Sequence, residues 1–161
     1  MRTKFLIGMI ACIFLTSCSM KSAPEDIDVA KVKADIQLLE DGNAKAMNDK
    51  DALGAAEYYA EDIKSYPFEA KPLVGQKAMI DSMQEDVLSI PEGHKITFTA
   101  NEIRVFNNGD EVLEIGDFIL TDGMNKKVES GNFFALFEKR DGKYVCVRDI
   151  FTPDSRMVVE Q

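Results

Sequence analysis

The apolar positions of this chain change period once, and the change divides it in two. From Ile27 to Asn48, the residues Val29, Val32, Ile36 and Leu39 recur at three- and four-residue spacing, which predicts a first helix. Gly42 weakens its middle by about 1 kcal/mol relative to alanine. Asn48-Asp49-Lys50-Asp51 breaks it and offers Asp49 or Asp51 as the next N-cap. A second helix is predicted over Asp51 to Ala60, then a short strand from Ile63 to Tyr66 that stops at Pro67. A third helix, about Gly75 to Ser89, sets Ile80, Met83 and Val87 on one face and ends at Pro91-Glu92-Gly93.

From His94 the pattern alternates. Asn107-Asn108-Gly109-Asp110, Asp122-Gly123 and Asp141-Gly142 are turn signals. They separate four predicted strands: Lys95 to Phe106, Glu111 to Thr121, Lys127 to Lys139 and Lys143 to Phe151. In the first of these, Ile96, Phe98 and Ala100 share a phase that Ile103 and Val105 abandon, so a bulge is expected near Asn101. Helices followed by an antiparallel meander make an α+β domain with its helices on one face of a curved sheet. Phe133, Ala135 and Phe137 oppose Phe134 and Leu136 on one strand, so both sheet faces are apolar. One face covers the helices; the other needs a second cover, either another subunit or a ligand in the concavity.

The N-terminus reads differently. Arg2 and Lys4 precede an apolar run from Phe5 to Leu15, about 11 residues, where a membrane span needs about 20. The run closes on Leu15-Thr16-Ser17-Cys18. This resembles a bacterial lipoprotein signal, which implies removal of residues 1–17 and lipidation of Cys18. Residues 18–26 then form a tether, residues 27–155 the domain and residues 156–161 a tail. The resemblance implies a cell-envelope location through a lipid anchor alone. Ser19, in place of an aspartate after the lipidated position, favours the outer membrane. With Cys12 removed and Cys18 blocked, Cys146 stands alone in an apolar run and reads as a buried small hydrophobe.

Charge removes several function classes. The chain carries 28 acidic against 19 basic residues, for a formal charge of −9, and no basic cluster offsets it. Such a surface repels phosphate backbones, so no nucleic acid is expected as a partner. Asp81 and Glu85 lie one turn apart on the third helix without a histidine nearby, so no metal site is predicted. No glycine-rich phosphate loop points to a cofactor, and none is expected.

The order of elements resembles a known family. Asn48 to Met83, with Tyr59-Ala60-Glu61-Asp62 and Val74-Gly75, is similar to the opening of SnoaL-like domains. These belong to the nuclear-transport-factor-two-like superfamily, with ketosteroid isomerase and polyketide cyclases. Glu129 to Ser155, including Arg148-Asp149-Ile150-Phe151, is similar to the family's final hairpin. The resemblance covers roughly Ile27 to Asp154. It implies a cone-shaped half-barrel, three helices packed in a strongly curved antiparallel sheet, with a pocket at the open end. It also implies that a homodimer through the sheet is among the available assemblies. Members that use a His with an Asp or Tyr have no counterpart here, because His94 is the only histidine and stands beside a turn.

Candidate chemistry rests on carboxylates set among apolar neighbours, where lost solvation makes an acid a usable base or neutral donor. Period two sets Asp149 on the face of Val145, Val147 and Phe151, and Asp117 on the face of Leu113, Ile115 and Ile119. Tyr58, Tyr59 or Tyr66 could supply a phenol to polarise a carbonyl. The candidate catalytic set is therefore Asp149, Asp117 and Tyr59. The candidate ligand contacts are Tyr59, Tyr66, Asn132, Phe134 and Phe151. Three readings stay open: a pocket for a small apolar or mixed-polarity ligand, an acid–base isomerase or dehydratase, and a module that docks an envelope protein through the sheet.

Overall fold

The computed structural model describes residues 27–154. The predicted signal, the Cys18 lipidation site, the tether up to residue 26 and the tail from residue 155 onward lie outside the described residues. Three helices come first: α1 (Val29–Asn48), α2 (Ala52–Ala56) and α3 (Gln76–Ser89). Between and after them run six strands: β1 (Tyr59–Tyr66), β2 (Leu73–Val74), β3 (Lys95–Phe106), β4 (Glu111–Thr121), β5 (Lys127–Arg140) and β6 (Lys143–Pro153). They form one curved, unclosed sheet in the order β2-β1-β6-β5-β4-β3. Its neighbours are antiparallel except β1 and β6, which run parallel. Pairing β1 parallel to the last strand brings the N-terminal half of the chain beside the C-terminal hairpin, with the two-residue β2 at that edge of the sheet.

Side chains hold the helical layer in place. Asp28 caps α1 by accepting from the Lys31 amide at 3.0 Å, and Asp51 caps α2 by accepting from the Gly54 amide at 2.9 Å. On α1, Gln37 donates to the Phe98 carbonyl at 3.0 Å and accepts from the Ala100 amide at 2.9 Å. Asn48 does the same at Ile96, at 2.9 and 2.8 Å. These amides pair with the main chain of β3, the outermost strand, and so blunt a free sheet edge. Ile36, Ile63, Met79, Val112 and Phe137 lie fully buried between the layers. Each such side chain contributes about 1.5–3 kcal/mol of burial.

Two bulges decide which residues face the helices. In β3 the register skips Asn101, so Phe98 and Ala100 before it and Ile103 and Val105 after it all pair with inward residues of β4. This is the bend expected from the phase flip. In β6 the register skips Val147: Cys146 pairs with Phe137, whereas Arg148 pairs with Leu136. The inward set of β6 is therefore Tyr144, Cys146, Asp149 and Phe151, not Val145, Val147, Asp149 and Phe151.

The second helix is shorter than its pattern suggested. It ends at Ala56, and Tyr59 and Ala60 belong to β1. The Tyr58 carbonyl accepts from the Cys146 amide at 2.9 Å, and Tyr59 pairs with Cys146. The Tyr58 ring meets Phe137 edge-on, 5.5 Å between centroids. Strand pairing and aromatic packing outweigh one more helical turn.

Candidate functional site: an acidic, aromatic cavity in the cone

The inner face of the sheet does not fill the space beneath the helices. A cavity of about 320 Å³ remains between α1, α3 and strands β3 to β6, within the size range of small-ligand pockets. Two glycines shape its wall. A Cβ on Gly116 would lie 2.6 Å from the Thr99 carbonyl and inside the Phe133 ring, and one on Gly131 would overlap the Phe118 ring. Each glycine pairs across the ladder with an aromatic, Gly116 with Phe133 and Gly131 with Phe118. The two rings lie over bare backbone, so the sheet bends sharply and keeps an aromatic lining without plugging the hollow. Phe98 stands edge-on to Phe133 at 6.0 Å, and Phe151 edge-on to Phe118 at 6.5 Å.

Half of the polar residues that line the cavity are acids, and the rest are Asn43, Tyr58, Tyr59 and Ser89. Glu40 from α1, Asp149 from β6, Asp86 from α3 and Glu129 from β5 line it with Asn43, Tyr58 and Tyr59. Among the described residues no lysine, arginine or histidine lines it. Glu40 is 1% exposed and accepts a hydrogen bond from the Tyr58 hydroxyl. Burial pushes its carboxyl up to about 7, with the Tyr58 hydroxyl and the Glu114 carboxyl pulling the other way. Glu114 on β4 is 0% exposed, and burial, with Glu40 beside it, raises it to about 9. Neither Glu114 oxygen meets a donor among the described residues. A proton shared between the two carboxyls supplies the missing hydrogen bond, so the pair holds one negative charge at most near neutrality.

Asp149 is the third inner acid. Its carboxyl rises because it is buried, partly offset by the Ser65 and Tyr59 hydroxyls. Ser65 is its ladder partner on β1. One carboxyl oxygen, Oδ1, is buried without a partner among the described residues, and so is Oδ1 of Asn43. Burial also drives the Tyr58 and Tyr59 phenols well above their ordinary range, so both stay protonated as donors.

The structure sorts the sequence candidates by face. Asp149, Tyr59 and Phe151 line the cavity. Asp117, Asn132, Phe134 and Tyr66, expected in the site, do not line it. Even-numbered residues of β4 and odd-numbered residues of β5 point inward, which leaves Asp117, Asn132 and Phe134 on the outer face. Asp117 accepts a hydrogen bond from Asn101, and Asn132 donates to Asp154 at 3.2 Å. Phe134 is 46% exposed and pairs with Ile150, itself the partner of Tyr66. His94 lies beside its turn, 3.4 Å from the Glu92 carbonyl. Cys146 is buried and free, its thiol raised by burial. Among the described residues no cluster of His, Cys, Asp and Glu could hold a metal ion.

Glu40, Glu114 and Asn43 went unread in the sequence. A signal for Glu40 and Asn43 existed: Val32, Ile36, Glu40, Asn43 and Met47 continue one helical stripe, and all five are buried. Glu114 shares the phase of Val112, Gly116 and Phe118.

Comparison with known proteins places the fold. No protein-family model matches the chain, and no curated protein matches it. Solved structures do. A domain with a cystatin-like fold from Nostoc punctiforme superposes with a TM-score of 0.67 at 15% identity, covering 79% of this chain and 80% of that one. A nuclear-transport-factor-two-like protein from Pseudomonas putida gives 0.64 at 16% identity, covering 82% and 93%. Another from Shewanella oneidensis gives 0.61 at 21% identity, covering 73% and 96%. The chain has the cone fold of the nuclear-transport-factor-two-like proteins, as the order of its elements implied.

Proposed function

We propose that this protein binds a small, largely apolar molecule with one polar end in the cone cavity, and does so as an exported, lipid-anchored protein. One observation carries the binding reading: a sheltered hollow walled by Phe98, Phe118, Phe133 and Phe151 that still contains buried, unpartnered oxygens on Asn43 and Asp149. Buried polar groups left unpaired cost free energy, about 1–3 kcal/mol each, which a guest can return by satisfying them. Apolar rings around them supply the non-directional part of the affinity.

The test is binding of an uncharged fluorophore, N-phenylnaphthylamine, to wild type and to Ala135→Leu, which fills the cavity from its wall. Wild type binds it with an emission blue shift, and Ala135→Leu loses that binding while keeping a cooperative thermal unfolding transition. Equal binding by a folded Ala135→Leu would remove the cavity from the account.

The anchor reading rests on the charged, apolar and Leu-Thr-Ser-Cys pattern of residues 1–18. In a Gram-negative host, wild type is expected to incorporate labelled palmitate and partition with detergent, and Cys18→Ser to do neither. A wild-type chain without lipid would remove the anchor.

Asp149 and Tyr59 share the cavity wall, and the Tyr59 hydroxyl acts on the Asp149 carboxyl. That pairing is the observation in favour of acid–base chemistry on a bound guest, with Asp149 as the proton carrier. Solvent deuterium entering a ligand recovered from wild type, and not one recovered from Asp149→Asn, would establish it.

A further inference from the structure

Resting on the cavity reading above, the geometry points to a guest of one charge type: we propose that the cone selects an amphipathic organic amine. Its ammonium would stand against Asp149, Asn43 and Glu40, and its apolar body against Phe98, Phe118 and Phe133.

Three independent features converge. The first is the sign of what is missing. Both buried side-chain polar atoms of the lining that have no partner among the described residues are oxygens: Oδ1 of Asn43 and Oδ1 of Asp149. Asn43 is only 7% exposed and lines the cavity. A hollow whose orphans are all acceptors asks for a donor, and an ammonium offers up to three. The second is charge. Four carboxyls line the hollow, Glu40 deep within and Glu129 at the rim, with no cation among the lining residues. A carboxylate ligand would meet repulsion from the ionised lining acids, and a neutral ligand would leave their charge uncompensated. The third is the wall. Aromatic faces attract cations as well as alkyl groups, and a desolvated cation gains most from them.

The pair behind the cavity gives the binding a pH signature. The polar and titratable groups around these acids come from every packed element: Lys33, Glu40 and Asp41 on α1, Tyr58 and Tyr59 before and on β1, Ser65 on β1, Glu114 on β4, and Cys146 and Asp149 on β6, with Asp86 on α3 and Glu129 on β5 lining the same cavity. Lys33 is tied at 2.6 Å to the Asn101 carbonyl and acts on Glu114 alone of the inner acids. An entering ammonium favours the ionised form of each inner carboxyl and so releases a proton. Since Glu40 changes charge near 7 while an alkyl amine stays protonated, amine affinity rises roughly tenfold between about pH 6 and 8.

The experiment is calorimetric titration with three probes of one shape, octylamine, octanol and octanoate, in two buffers of different ionisation heat. Octylamine is expected to bind at least about tenfold more tightly than octanol, equivalent to about 1.4 kcal/mol. Its binding is expected to release protons and strengthen with pH, and octanoate to bind most weakly. Asp149→Asn, which keeps shape and hydrogen bonding, should bring octylamine and octanol to within about threefold of each other. Octanol binding as well as octylamine, or octanoate binding best, overturns the amine proposal and leaves the cavity reading intact. None of the three binding, with N-phenylnaphthylamine also excluded, overturns both. The comparison of probes on wild type stands even if the Asp149 variant fails to fold.

Discussion

Glu114 and Asp117 stand three residues apart on β4 and point to opposite faces of the sheet. Each sits in an alternating apolar row, Glu114 with Val112 and Phe118, Asp117 with Ile115 and Ile119. Inward, Glu114 has no water and no donor except the proton it shares with Glu40, and its carboxyl is pushed up to about 9. Outward, Asp117 takes a hydrogen bond from Asn101 on the neighbouring strand and remains partly in solvent. Their sequence surroundings are nearly equivalent. What separates them is the cover: helices α1 and α3 over one face and nothing described over the other. Desolvation, rather than residue type, makes an acid chemically unusual here.

The contrast can be broken or sharpened in order of size. Phe137→Ala, which empties a fully buried site on the inner face, should cost about 3–5 kcal/mol in denaturant unfolding. Phe134→Ala on the outer face should cost less than about 1 kcal/mol, because nearly half of that ring is already in water. Equal losses would mean that the outer face is also covered in solution.

Stability against pH comes next. Glu40 and Glu114 bind protons more tightly when folded than their unfolded value of 4.5. Below that value both states are protonated and the groups contribute no slope. Stability then falls by several kcal/mol as pH rises from about 5 toward about 9. Glu114→Gln should flatten that fall and raise the melting temperature at the alkaline end. A wild-type stability that rises over this range would contradict the buried pair.

Tyr58→Phe removes the hydroxyl that donates to Glu40 and should cost about 1–3 kcal/mol, more at alkaline pH where Glu40 is charged. Asp117→Asn on the outer face is the smallest change, within about 0.5 kcal/mol by the same unfolding curves.

Much of the architecture was legible because its signals are local. The three turns, the bend at Asn101, the first and third helices and the four long strands follow from period and turn chemistry. The faces were harder. Both phases of β4 and of β5 are apolar, and β4 offers one acid on each, so alternation could not say which phase the helices cover. That ambiguity is what makes Asp117, Asn132 and Phe134 look like site residues. Period two alone puts Asp149 in the company of Val145 and Val147; the bulge at Val147 that aims it is a register event between β5 and β6. Glu40 was hidden for another reason. A glutamate within an apolar helical stripe reads as a solvated interruption until a second buried acid, distant in the chain, is seen to face it.

Carbon-detected NMR titration of the side-chain carboxyls, with and without octylamine, tests the central claim most directly. Asp149, Glu40 and Glu114 are expected to titrate above the usual carboxylate range in the free protein and to move downward together when the amine is added, while Asp117 does not respond to it. Inner carboxyls that titrate normally and ignore the amine would show that the hollow is open to water and holds no guest.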